Sequence, residues 1–459
     1  MPSPWISELN FNQKHLVINS NASSDIAIIG AGIAGISTAF FVLENTNLEV
    51  ALIESYKIAH GATGHNAGQV VGYFERPFNN LAEEYGLQQA INAQKEVLVG
   101  WRLIDKILKT TKIKINYEKF WGYAGCQNLA ELLPMLENDY LRNVSGIDIN
   151  NCFIDKNWKD LKYIPKHLHK TFELVDKSFI LEQLNTENNN YIACLGSQKG
   201  VLNSSLFCEK VLDYLIQKYP TRLQVFEHSK VEEINLNQQN SKIIIQPNHG
   251  LVKEFKKQNF QITTKKVVLC TNGFKDFKIN MDSEADFDKK FKDNLAGLIG
   301  FMAGFKVKSD LKPTAVTYFM PELENNSESQ APYFYLTRRT YQNQTLTCIG
   351  GPDLLLEQDQ HFDREKDYSN DETFKVTSFL HKYYKYSPKE VNFDFKWQGL
   401  MGYTKNELRM IGPEPRNPNL LYNLGCNGIG ILPSIYGGYK ISKFLLGKKL
   451  KPSIFDPRI

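Results

Sequence analysis

Four consecutive apolar positions, Ile26 to Ile29, precede a turn built on Gly30, Gly32 and Gly35, so the chain predicts a buried strand entering a tight loop. Ile33 to Leu43 then reads as a helix and Val50 to Ile53 as the next strand. From Phe78 to Lys109 a helical period returns, with Val97, Trp101, Ile104 and Leu108 spaced for one buried face. Phe120 to Cys126 predicts a strand, and Leu129 to Val144 a helix interrupted at Pro134. Between Asp148 and Ser197 no period stands out, and an irregular, polar stretch is expected. Gly200 to Tyr219 opens with a turn and continues as an amphipathic helix through Leu206, Val211, Leu212 and Leu215. Strands are predicted at Val225–Ile234, Lys242–Gln246, Phe260–Thr263 and, separately, from Lys266 into the turn at Thr271-Asn-Gly. Lys275 to Asp293 is charged with scattered apolar residues and is expected to be a solvated insertion. Aromatic and β-branched runs in Leu295–Arg339 and Leu346–Gly351 suit an antiparallel sheet centred on Tyr333, Phe334 and Tyr335. Tyr368–Tyr384 and the segment closing at Leu446 read as helices.

These elements imply an α/β (α+β, two-domain) fold. A Rossmann-like dinucleotide-binding domain is interleaved with an antiparallel-sheet substrate domain. The expected boundaries are an N-terminal arm over 1–24, a dinucleotide-binding domain from 25–80, 196–274 and 395–459, and a substrate domain from 81–195 and 275–394. The arm is read as packed on the surface through Trp5, Ile6, Leu9 and Phe11. A chain of 459 residues is too long for one core, which agrees with two domains. Its 54 basic and 50 acidic residues leave a formal charge of +4, which gives no argument for nucleic acid. Seven scattered cysteines without a C-x-x-C pair favour reduced thiols over a disulfide framework or a zinc site, and no metal is expected. No apolar run approaches the length of a membrane span and no signal pattern opens the chain, so a soluble, cytoplasmic protein is expected.

The chemistry begins at the first turn. Gly30-x-Gly32-x-x-Gly35 lies between a strand and a helix, where the glycines permit the turn, the approach of a pyrophosphate and close helix packing. Unpaired N–H groups at the helix N-terminus favour the anion. Glu54 ends the second strand nineteen residues after Gly35, where an acid can hold a ribose 2′-hydroxyl, so FAD or NAD is favoured over NADP. The loop His60-Gly-Ala-Thr-Gly-His-Asn-Ala-Gly-Gln-Val has no strand or helix period, and its small residues let backbone run against something flat and large.

Four segments together resemble the D-amino-acid oxidase, glycine oxidase and sarcosine oxidase superfamily of FAD enzymes. They are the turn ending at Glu54, the loop Gly61-Ala-Thr-Gly-His-Asn-Ala-Gly-Gln, the strand and turn Val267-Val-Leu-Cys-Thr-Asn-Gly, and Gly425-Cys-Asn-Gly-Ile-Gly-Ile-Leu-Pro. The nearest branch is similar to the γ-glutamylputrescine-oxidase-like proteins, which share an N-terminal arm, the Asn-x-Gly-Gln loop and a Trp-x-Gly-x-x-x-x-Thr segment. The resemblance implies FAD held by Gly30, Gly32, Ile33, Ala34, Gly35, Glu54, Ser55, Gly61, Ala62, Thr63, His65, Asn66, Ala67, Gly68, Gln69, Val231, Thr271, Asn272, Gly273, Asn427, Gly428, Ile429, Gly430 and Ile431. It also implies oxidation of a C–N bond by hydride transfer to flavin N5, hydrolysis of the imine, and passage of electrons to oxygen or another acceptor. A small amine or amino acid is the expected partner; a sensing flavoprotein and an enzyme acting on a macromolecule-bound amine are the alternatives.

Two departures from the family pattern bear on the substrate and the cofactor. Where glycine and D-amino-acid oxidases carry a carboxylate-clamping arginine, this chain has Gly399-Leu-Met401-Gly. Arg338 is a candidate substitute, and Tyr333, Tyr335, Trp397 and Met401 are further pocket candidates. His65 stands where most relatives of the branch have arginine. It aligns with the histidine that dimethylglycine and sarcosine dehydrogenases bond to the flavin 8α carbon. Covalent attachment and a plain polar contact are both open, and the polar contact is the more common use of histidine.

Overall fold

The computed structural model describes residues 3–10, 17–147, 151–247, 258–307, 311–320, 333–351, 353–356, 362–363 and 369–458. Two large sheets organise them. In the first, the strands Ala22–Ile29, Val50–Ile53, Leu223–Phe226 and Phe260–Leu269 run parallel, and Leu420–Leu424 extends this set beside Phe260–Leu269. Ser229–Leu236 and Ser241–Pro247 continue the sheet antiparallel, and Lys278–Met281 closes its edge.

The unbroken apolar runs follow from burial on both faces. Ile26, Ile28, Val50 and Leu52 enter one core, while Ala27, Ile29, Ala51 and Ile53 enter the other. The first core lies under the helices Ile33–Asn45, Leu87–Thr111, Ser204–Lys218 and Ile431–Leu445. Leu87–Thr111 is therefore packed on the dinucleotide side, although the sequence boundaries assign 81–195 to the substrate domain. Its buried face carries Val97, Trp101 and Ile104, with Leu108 partly buried.

In the second sheet, the order runs Leu354–Leu356, Leu295–Val307, Gln344–Gly350, Tyr333–Tyr341, Thr314–Phe319, Tyr117–Cys126, Ala193–Leu202, Asn151–Asp155, Phe172–Val175. Its pairings are antiparallel except Thr314–Phe319 with Tyr117–Cys126 and Asn151–Asp155 with Phe172–Val175. Two more strands join it from segments that the sequence boundaries place in the dinucleotide-binding domain. Phe395–Thr404 pairs with Leu295–Val307, and Gln69–Val71 with Ala193–Leu202. The chain thus passes between the sheets more often than composition alone suggests.

Several expectations are corrected. The stretch expected to be irregular is, over its described residues 151–197, ordered: it holds two short strands and a seven-residue helix, Lys177–Gln183, before the ten-residue strand Ala193–Leu202. Lys275–Asp293 is no solvated insertion, because Phe277, Ile279, Met281, Phe287 and Phe291 are all buried in the second core of the first sheet. Phe260–Leu269 is one strand, whereas Val225–Ile234 is two, divided where His228 takes a positive φ of 50°. Leu129–Val144 runs through Pro134 without a break. The Asn128 side chain caps its first turn at 3.0 Å, and Leu132 and Leu136 are fully buried on either side of the proline. Packing there outweighs one lost backbone bond. The helix expected from Tyr368 is described from Asn370 to Tyr383; Tyr368 itself lies outside the described residues, as does Phe11 of the arm.

Residues 3–6 of the arm do not lie on the surface. Trp5 is fully buried, and its indole N–H donates to the Asn66 carbonyl at 2.6 Å. The Arg339 guanidinium stacks 4.6 Å from the Trp5 ring and pairs with Glu8. Asn203 ties the same turn down by donating to the Trp5 carbonyl and to Glu8. Residues 3–10 therefore support the Gly61–Gln69 loop from behind.

Candidate active site

At the carboxyl ends of Ala22–Ile29, Val50–Ile53 and Phe260–Leu269 the first sheet opens into a cavity of about 540 Å³, and the second sheet forms its opposite wall. Carboxyl ends of parallel strands are where α/β sheets hold dinucleotides. Gly30, Gly32, Ile33, Ala34, Glu54, Ser55 and Val231 line the first-sheet side. Gly35 lies behind them. A methyl group on Gly35 would collide with the Gly30 carbonyl oxygen, so the close approach of helix to turn requires glycine here. Glu54 fixes this turn by accepting from the Ala31 N–H at 2.9 Å and the Tyr56 N–H at 2.9 Å. Thr63 reaches across from the loop, its hydroxyl oxygen accepting from the Ile33 N–H at 2.9 Å, so loop and helix N-terminus are joined.

Residues Gly61, Ala62, Thr63, His65, Asn66, Ala67, Gly68 and Gln69 also line the cavity. Asn66 holds the loop in shape: its amide donates to the Ala62, Thr63 and Ser204 oxygens, and its oxygen accepts from the Gly68 N–H. His65 Nδ1 lies 2.9 Å from the Gly61 carbonyl oxygen, which can only accept, so Nδ1 carries the proton. Behind His65 the strand Phe395–Thr404 presses close, and a methyl group on Gly399 would strike the His65 carbonyl oxygen.

Thr271, Asn272, Gly428, Ile429, Gly430 and Ile431 complete the cofactor side, the last four leading into the helix Ile431–Leu445. Asn272 ties the two returning segments together: it donates to the Leu400 carbonyl at 3.2 Å and accepts from the Cys426 N–H at 3.0 Å. Gly273 and Asn427 are absent from the lining. Gly273 packs against Gly402, and Asn427 accepts from the Thr404 N–H at 2.8 Å.

On the second sheet, alternation decides which side chains face the cavity. Tyr333 and Tyr335 line it, while Phe334 points away and stacks on Phe379 at 4.3 Å. Arg338 shares the parity of Phe334 and is carried to that far face. There it is 4% exposed and donates to the Lys312 carbonyl, Asn185 and Tyr384. It does not line the cavity. Met401 does, whereas Trp397, four residues earlier on the same face, is buried in an apolar cluster with Trp5, Met302 and Tyr341.

Sequence reasoning missed Tyr73, Glu75, Met302, Thr317, Asp353 and Arg409, all of which line the cavity. Glu75 lies against Gly428, where an added methyl would come within 2.6 Å of its Oε1. Arg409 is committed to Asn423 through two hydrogen bonds of 2.9 and 2.8 Å, and burial pushes its guanidinium down to about 10. Burial also raises the Tyr73, Tyr333 and Tyr403 hydroxyls far above the usual phenol range, so these rings stay neutral. Only the parity of Tyr333 and Tyr335 could have been read from the chain; Glu75 and Asp353 sit in segments without a motif.

The residues present fit a flavin dinucleotide. The glycine turn is too tight for other side chains, and Thr271 Oγ1 is buried on the cavity wall without a partner among the described residues. Among those residues no group of His, Cys, Asp and Glu could hold a metal ion, and no helix is long and apolar enough to cross a membrane.

Comparison with known proteins agrees with this geometry. The chain is 27% identical over 100 residues to γ-glutamylputrescine oxidoreductase of Escherichia coli, covering 22% of this chain and 23% of that one. It is 24% identical over 259 residues to a probable oxidoreductase of Haemophilus influenzae, covering 55% and 50%. The aligned regions thus span half or less of these curated relatives. Its fold matches glycine oxidase of Bacillus cereus with a TM-score of 0.65 at 17% identity, covering 93% of this chain and 96% of that one. Glycine oxidase of Geobacillus kaustophilus matches with a TM-score of 0.67 at 15% identity, covering 95% and 98%. The family model described as DAO, FAD dependent oxidoreductase, matches residues 25–443, which takes in both sheets and every wall of the cavity. The chain therefore belongs to the DAO family of FAD-dependent oxidoreductases.

Proposed function

We propose that this enzyme oxidises a C–N bond of a small amine or amino acid. The reading rests on one observation: a single cavity joins the dinucleotide turn at Gly30–Gly35 to the tyrosine-lined face of the second sheet. Bound FAD supplies a two-electron acceptor for the hydride leaving the substrate α-carbon. Glu54, the Gly30–Ala34 turn and the Gly61–Gln69 loop would hold its adenine-dinucleotide part, and the Gly428–Ile431 turn would present backbone N–H groups at the helix N-terminus to its ring system. Tyr333, Tyr335, Met302 and Met401 wall the substrate region. No arginine faces that region among the described lining residues apart from Arg409, which is held by Asn423. A simple α-amino acid thus lacks a carboxylate clamp, and amines are the preferred substrates.

His65 is read as a polar contact that leaves FAD non-covalently bound. A polar contact is the more common use of histidine, and this ring already makes one, from Nδ1–H to the Gly61 carbonyl. An anaerobic screen of amines and amino acids, following bleaching of the visible flavin band, tests the whole proposal. Bleaching by amines is expected. A flavin that no amine or amino acid bleaches points instead to a sensing role, and bleaching only by a macromolecule-bound amine to a different substrate class.

A further inference from the structure

Asp353 lines the cavity beside Met401 and Tyr335. The chain leaves the strand Gln344–Gly350 through Gly351, at a φ of 105°, and so brings Asp353 onto the cavity wall. As a residue it is half-buried, but its Oδ1 is enclosed and has no hydrogen-bond partner among the described residues. Seen from Gly300, where a side-chain carbon would stand, Oδ1 lies at 3.2 Å, Met401 Cε at 3.4 Å and the Tyr335 hydroxyl at 3.6 Å. The carboxyl thus shares one corner with Met401 and Tyr335, on the wall opposite the dinucleotide turn.

Among the described residues, Glu54, Glu75 and Asp276 are further carboxylates on the lining, and the lysine and arginine there are committed elsewhere: Lys230 to Glu232 and Asp276, Arg409 to Asn423. An enclosed carboxyl without a partner is costly in its charged form. Burial accordingly raises its pKa from 3.8 to about 7. A ligand that brings a positive charge to this corner removes that cost, whereas a ligand carboxylate would meet repulsion.

We propose that Asp353 is the specificity-determining residue of the substrate region and selects a doubly basic amine, binding its distal ammonium while the other nitrogen reacts. This rests on the amine-oxidation reading above and narrows it to diamines and their N-substituted forms. The Tyr335 hydroxyl and the Met401 methyl flank the ammonium, one offering an oxygen that can accept from it and the other an apolar surround.

The test uses the FAD-loaded enzyme, titrated by calorimetry under anaerobic conditions with α,ω-diamines of three to six carbons, the matched monoamines and the matched ω-amino acids. Diamines are expected to bind about 10- to 100-fold more tightly than monoamines, the span of a charged hydrogen bond, with ω-amino acids weakest. Asp353→Asn should erase the diamine advantage while keeping FAD content and a cooperative thermal transition, and Asp353→Glu should restore part of it. Equal binding of diamines and monoamines, or a diamine preference that survives in Asp353→Asn, overturns the proposal. So does an Asp353→Asn variant that loses FAD, because the carboxyl would then serve the cofactor. Anaerobic flavin bleaching separates the two levels: monoamines bleaching as fast as diamines leave the amine reading standing without Asp353 selection, and no bleaching by any amine removes both.

Discussion

The two walls of the cavity are built on opposite principles. The first-sheet wall works through backbone: the turn at Gly30–Gly35 and the loop Gly61–Gln69 offer N–H groups and close approach, and their own side chains, Glu54, Thr63 and Asn66, mostly hold the turn and loop in place. The second-sheet wall works through side chains carried on alternate positions of separate strands, Met302, Thr317, Tyr335 and Met401 among them. Backbone sites demand particular residues at fixed spacing, because a single methyl group blocks them. Side-chain sites demand only parity and contact, so they tolerate change in chemistry and diverge with substrate.

The sharpest way to break the first wall is to add that methyl group. Gly35→Ala should yield protein without bound FAD, or none that folds, because its side-chain carbon overlaps the Gly30 carbonyl. Visible absorbance of the purified protein reads the outcome. Gly32→Ala should spare the fold, since within the protein its new carbon meets only the end of the Thr63 side chain at 2.7 Å, yet still weaken FAD because the pyrophosphate approaches there. Next in size, Glu54→Ala should weaken FAD by about 1.5–3 kcal/mol, the worth of charge-assisted hydrogen bonds. Equilibrium titration of apoprotein with FAD measures it, and an unchanged affinity would show that Glu54 serves the turn alone.

How much of this was legible follows from the same contrast. The glycine turn, Glu54 and the glycine-rich loop were readable because their spacing is dictated by backbone geometry. Arg338 was offered as a clamp because it lies close in sequence to Tyr335. Its odd separation from Tyr335 put it on the opposite face, where it binds Asn185 and Tyr384. Phe277 and Phe291 were hidden among charges, since a four-residue edge strand and a seven-residue helix need only a few apolar positions to be buried. Trp5 was read as a surface anchor because nothing local reveals that the Gly61–Gln69 loop needs a buried support. Asp353 carries no motif at all, and only the fold brings it to Met401.

Arg338→Ala sharpens the comparison from the far side of the second sheet. It should lower stability by about 1.5–3 kcal/mol through lost hydrogen bonds to a charged group, while amine turnover per folded enzyme stays unchanged. Chemical denaturation and steady-state rates together check this, and a selective loss of activity would return Arg338 to the substrate. For the first wall, acid precipitation should release FAD into the supernatant, as expected for a histidine held by Gly61 and not bonded to the ring. A yellow pellet that turns colourless in His65→Ala would establish the bond.

The smallest expected effect lies in the pH dependence of stability, and it isolates Asp353 from its neighbours. Burial raises its folded-state pKa from 3.8 to about 7, so its favourable contribution is fully present below 3.8 and is lost as pH rises through 7. Asp353→Asn cannot titrate, so the melting temperature of the wild type should fall relative to the variant between about pH 4 and 7 and run parallel to it above that. The Tyr333 and Tyr403 hydroxyls facing the same corner are held far above this window by burial and add no slope. Among the described residues, Glu54, Glu75 and Asp276 are the other carboxylates on the cavity; the Ala31 and Tyr56 N–H groups hold Glu54 and Lys230 holds Asp276, and a Glu75→Gln background removes the remaining share. A saturating diamine should flatten the wild-type profile, because an ammonium beside Asp353 lowers its pKa again, whereas a matched monoamine should leave the slope in place. Parallel profiles for wild type and Asp353→Asn would mean that the carboxyl is solvated, and that the second wall selects its substrate by shape instead of charge.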